Sequence, residues 1–226
     1  ADDAAGLAIS NKMTSQIRGL DQAVRNSQDA ISMMQTAEGA TIEVTNMLQR
    51  MRELSVQAAN DTYSSADRTA IQAEFSQLQK EISRISDNTE WNGMRVLGAS
   101  AADFEYQIGA NSSQTLTVSF KDLDGAAMSA VQSAVATSLS ASLDSAIGNL
   151  DRAIAEIDSF RADLGAKINR LEYTIDNLTN ISTNTTDSRS RILDTDYAKA
   201  SSELSRTQII QQAATAVLAQ ANVDQQ

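Results

Sequence analysis

Apolar residues recur every three or four positions over most of this chain, the spacing of a helix that buries one face. Met13, Ile17, Leu20, Val24, Ile31 and Met34 keep that step, and Val44, Leu48, Met51, Leu54 and Ala58 continue it, which predicts helix over roughly 2–60. The polar run NDTYSSAD (60–67) breaks the pattern, with Ser64 or Ser65 placed to cap the next helix. That second helix is expected over roughly 66–87, on Ile71, Phe75, Leu78, Ile82 and Ile85, with Asn92-Gly93 as a turn beyond it. The texture then changes. Phe104, Tyr106 and Ile108 alternate with polar residues, and so do Leu116, Val118 and Phe120, which predicts a β-hairpin over about 104–120. Residues 121–137 are rich in Ala and Ser and read as a connection.

The longest regular pattern starts at Leu143 and runs through Ile147, Leu150, Ile154, Ile157, Phe160, Leu164, Ile168, Leu171, Ile175 and Leu178 to Ile181. Acidic and basic residues fill the intervening positions, a coiled-coil signature. A helix of about 40 residues spans roughly 60 Å. STNTTDSRS (182–190) is expected to interrupt it, and a closing helix is expected to start near Asp194 or Asp196. That closing helix carries an apolar stripe of Ile210, Ala214, Val217, Leu218 and Ala221, which needs something to lie against. The resulting fold class is mainly α: an elongated, rod-like bundle of long coiled-coil helices with a small β-hairpin region at one end. Four segments are expected: rod helices over 1–98, a short variable region over 99–140, a C-terminal rod helix over 141–190 and an inner helix over 191–226.

Composition narrows the chemistry. Proline is absent from all 226 residues, which favours uninterrupted helices. A net charge of −11 argues against a protein that neutralises nucleic-acid phosphates or lies on an anionic membrane. Histidine and cysteine are both missing, which removes disulfides, thiolate nucleophiles, the usual zinc sites and the commonest general base. No cofactor or metal is expected. Sequons such as Asn60-Asp-Thr and Asn177-Leu-Thr are chance matches in a chain this rich in Asn, Ser and Thr. One stretch stands apart. In LQRMRELSVQAAND (48–61), Met51, Leu54 and Ala58 can face inward while Arg50, Glu53 and Gln57, with Gln49 beside them, form a polar ridge. By spacing alone that ridge is an ordinary solvated face.

ADDAAGLAISNKMTSQIRGLDQAVRNSQDAISMMQTAEGA, TNMLQRMRELSVQAAN and DRTAIQAEFSQLQKEISRISDNTEWNGMRVL closely resemble the N-terminal core of bacterial flagellin. LDSAIGNLDRAIAEIDSFRADLGAKINRLEYTIDNL and SRSRILDTDYAKASSELSRTQIIQQAATAVLAQAN resemble its C-terminal core. Only about 99–140 lies outside the resemblance, which implies a secreted filament subunit of the bacterial flagellum, exported unfolded through a type III channel and serving swimming motility. Its partners would be other flagellin subunits, an export chaperone on the C-terminal helix, and the filament cap and hook-associated proteins. The resemblance also implies recognition of the exposed monomer by Toll-like receptor 5 through Arg50, Leu54 and Glu74, flanked by Gln49, Glu53 and Gln57. It further implies that the chain is truncated at both termini. The final helix would then lack its N-terminal partner, leaving its stripe exposed, disordered or borrowed by a neighbouring molecule. A hook–filament junction protein and a surface ligand-binding flagellin homologue are the alternatives. An enzyme is disfavoured by the missing His and Cys.

Overall fold

The computed structural model describes residues 4–99, 101–123, 129–136, 143–193 and 197–223. Its elements run α1 (Ala4–Ala58), α2 (Ser65–Asn88), β1 (Glu90–Trp91), β2 (Met94–Arg95), β3 (Asp103–Gln107), β4 (Thr115–Ser119), α3 (Ser129–Ala136), α4 (Leu143–Leu193) and α5 (Tyr197–Val223). Two compact units divide the chain, one over 18–182 and the other joining 1–17 to 183–226. Long helices packed against one another, with two small antiparallel hairpins among the described residues, make the fold mainly α.

Within 18–182, the core lies between α1, α2 and α4. Met33, Met34, Leu48, Met51 and Leu54 of α1 meet Phe75 and Ile82 of α2 and Leu150, Ile157, Phe160, Leu164 and Leu171 of α4. Of the buried hydroxyls described on α1, four lie within 18–182. Ser27, Thr45 and Ser55 each donate to the carbonyl four residues back, and Thr41 donates to that of Glu38, so none costs an unmet hydrogen bond. Ion pairs also link α1 to α4, with Arg52 Nε 2.6 Å from Asp151 Oδ1 and Arg161 Nη2 4.0 Å from Glu38 Oε1.

Ser64 caps α2 in a full capping box. Its hydroxyl accepts from the Asp67 N–H at 3.3 Å, and the Asp67 carboxylate accepts from the Ser64 N–H at 3.0 Å. Asn92-Gly93 does more than turn the chain. Both residues have positive φ, 50° and 75°, and they close a two-residue hairpin of β1 on β2. The second hairpin pairs Asp103 with Ser119 through Gln107 with Thr115, and packs Phe104 edge-on to Phe120 with ring centroids 5.7 Å apart. Asn26 of α1 donates to the Gln107 carbonyl at 3.0 Å, tying this hairpin to the helix.

Three sequence expectations change. STNTTDSRS does not interrupt the helix, since α4 continues to Leu193. Without Gly or Pro nothing in it breaks a helix. Its hydroxyls bond locally or to α1: Ser188 to the Asn184 carbonyl, and Ser182 to Asp21 Oδ1 at 2.9 Å. Part of the 121–137 connection is helical, because Val131 and Ala134 reach the core from α3. Glu156 accepts from the Ala130 N–H at 3.0 Å, and Gln79 donates to the Ala134 carbonyl at 3.3 Å, so neighbouring helices hold both ends of α3. Ile181, read as a seam position, is exposed. The expected start of the last helix at Asp194 or Asp196 lies outside the described residues, and α5 is described from Tyr197.

Half-buried Tyr106 donates its hydroxyl to Met33 Sδ at 2.8 Å. Burial, and then the Asp29 carboxylate, push its ionisation up to about 12 from an ordinary value of 10.0. The folded chain therefore holds this proton more tightly than the unfolded chain does. The resulting stabilisation is whole below pH 10.0 and is lost as pH rises through about 12. Urea titrations from pH 9 to 12 are expected to show a steeper fall in midpoint for the parent than for Tyr106→Phe.

Candidate functional site

The polar ridge of α1 is assembled by α2 as well as by its own spacing. Arg50 reaches Glu53 Oε2 at 3.0 Å, one turn along α1, and places Nε and Nη2 each 2.9 Å from Glu74 Oε1. Hydrogen bonds to Glu53, and then to Glu74, raise the Arg50 guanidinium above its ordinary value. Pairs this exposed contribute little to stability, because solvent screens them and long side chains lose freedom. What the arrangement does is hold one cation between two anions on an open surface. Gln49 and Gln57 are exposed beside it, and Gln57 Nε2 donates to the Tyr63 hydroxyl at 3.2 Å.

Leu54 is placed differently from the other ridge residues. It is 1 % exposed and belongs to the core, so it backs the ridge and presents no side-chain surface of its own. Its place in the i, i+3, i+7 row with Met51 and Ala58 already carried that signal. The partnership of Arg50 with Glu74, 24 residues apart, and the contribution of Tyr63 have no local sequence signal, since both depend on how α2 returns along α1.

In the second unit, α5 bares its apolar residues. Ile210 is 57 % exposed, Val217 67 % and Leu218 65 %, and Ala214 is exposed with them. Ala221 lies in α5, and its side chain is outside the described residues. Leu204 and Ile209 of α5, Leu7 and Ile9 of α1, and Ile192 and Leu193 of α4 are exposed as well. Among the described residues no group of three His, Cys, Asp or Glu could hold a metal, and no helix is long and apolar enough to cross a membrane.

Long seamed helices with a helix bared to solvent are the build of a self-assembling structural protein. The bacterial flagellin N-terminal helical region matches residues 1–102, and the bacterial flagellin C-terminal helical region matches residues 147–226. A flagellin of Halalkalibacterium halodurans is 48% identical over 98% of this chain and 81% of its own length. The flagellar filament 33 kDa core protein of Treponema phagedenis is 43% identical over 98% of this chain and 82% of its own length. A crystal structure of Bacillus cereus flagellin superposes with a TM-score of 0.62 at 34% identity, covering 73% of this chain and 94% of that one. The chain belongs to the flagellin family, whose members are structural filament proteins and not enzymes.

Proposed function

We propose that this protein is a secreted structural subunit that polymerises with further copies of itself into the flagellar filament used for swimming. The observation that carries the reading is where the apolar surface lies. Nine of the thirteen large apolar side chains that stand exposed among the described residues belong to the unit made of 1–17 and 183–226. The unit over 18–182 is far longer and carries the other four. Apolar surface concentrated in this way in one unit marks a contact with another chain. In this reading α5 is covered by other subunits in the filament and by an export chaperone before secretion, with cap and hook-associated proteins meeting the filament ends. Deleting the gene should strip the cell of filaments, and restoring it should return them. A deletion strain with normal filaments under the electron microscope would overturn the reading.

The same reading extends to a host receptor. The Arg50–Glu53–Glu74 cluster, flanked by Gln49 and Gln57 and backed by Leu54, is the surface that Toll-like receptor 5 would read on the exposed monomer. Arg50→Ala and Glu74→Ala are expected to lose most signalling in receptor-reporter cells while keeping the helical circular dichroism of the parent. Signalling equal to the parent from both variants would remove the receptor from the reading.

A further inference from the structure

The buried face of α1 is matched, on the opposite side of the helix, by a second heptad row. Ser32, Gln35, Gly39, Ile42, Asn46 and Gln49 advance in steps of three and four, and all six are exposed. None is charged, although 21% of the chain is. Gly39 sits mid-helix, where glycine lowers helix stability, and a Cβ there would meet nothing within 4 Å. Packing among the described residues therefore gives no reason for a glycine, whereas a second helix lying close would.

The outer face of α4 carries a counterpart. Ser159, Ala162, Ala166, Asn169 and Tyr173 are spaced in the same way, exposed and uncharged. Tyr173 is 77 % exposed, and an open hollow of about 460 Å³ runs along Ala166, Asn169, Arg170 and Tyr173 and on past Thr174 and Asn177. The first four of these residues stand at i, i+3, i+4 and i+7, the four corners that receive one knob in helix-on-helix packing. Arg170 has no carboxylate within ion-pairing distance among the described residues, and Glu43, next to Ile42, has no such cation.

We propose that the outer row of α1 in one copy packs on the outer row of α4 in the next, with Ile42 seated in the Ala166–Asn169–Arg170–Tyr173 hollow and Glu43 paired with Arg170. The inference rests on the filament-subunit reading and names a contact within it that does not involve α5. Joining two different surfaces makes the contact heterologous. Such a contact propagates into an open assembly and does not close on a pair.

Residues 1–226 contain no cysteine, so the introduced thiols are the sole ones among them. Cells would express Ile42→Cys chains together with Ala166→Cys chains, and their sheared filaments would be treated with a short bismaleimide. A cross-linked dimer is expected from mixed filaments and lost from filaments of either variant alone. Normal mixed filaments that give no dimer would overturn the α1–α4 contact and leave the subunit reading intact. Absence of filaments from the gene's deletion and restoration alike would instead sink the subunit reading. Arg170→Glu is expected to reduce filament length, and the Glu43→Arg, Arg170→Glu pair to recover it. A pair no better than the single variant would also overturn the contact.

Discussion

Cells whose copy of the gene carries Ile210→Asp together with Val217→Asp are expected to swim no better than the deletion strain and to show no filaments by electron microscopy. Both side chains are mostly exposed in the isolated chain, so the substitutions remove little contact within it. Circular dichroism and thermal unfolding of the monomer should therefore match the parent. In an assembly the same positions would be covered, and two carboxylates would be carried into an apolar contact without partners. Burying an unpaired charge is costly enough to exclude the contact altogether. Normal filaments from the doubly substituted chain would show that α5 takes no part in assembly.

The largest effect on the folded chain itself is expected from Phe75→Ala. Phe75 has no exposed surface and lies on α2 among residues of the core shared with α1 and α4. Its removal takes away the transfer free energy of the ring and leaves a cavity that helices tied at several levels cannot close. The expected loss is about 3–5 kcal/mol, read from urea unfolding. For a chain of this size that corresponds to a fall in midpoint temperature on the order of 10 °C. A loss below about 1 kcal/mol would mean that the helices collapse onto the site.

Much of this architecture was legible in the residues because it rests on local rules. The three-and-four spacing of α1, α2 and α4 marks which faces are buried whatever the partner is. Alternation over Phe104–Phe120 marks a hairpin, and Asn92-Gly93 marks a turn by its tolerance of positive φ. Where local rules were read too strongly, the structure corrected them. Polarity in STNTTDSRS suggested a break, but polarity alone does not end a helix that lacks Gly and Pro and can satisfy its hydroxyls at the preceding turn. The short α3 was obscured by Ala and Ser, whose helical tendency became a helix once Glu156 and Gln79 held its ends.

The division between sequence and tertiary structure tracks the reach of the interactions. By itself the sequence determined the helical class, a serine cap for α2 at Ser64 or Ser65, and the family. All of these depend on residue type and near-neighbour spacing. Only the tertiary structure decided that Arg50 is held between Glu53 and Glu74 and that α5 stands uncovered within its unit. The physical reason is that charges and apolar faces distant in the chain meet through packing. The spacing of one helix states what it must bury, and it leaves open which surface will bury it.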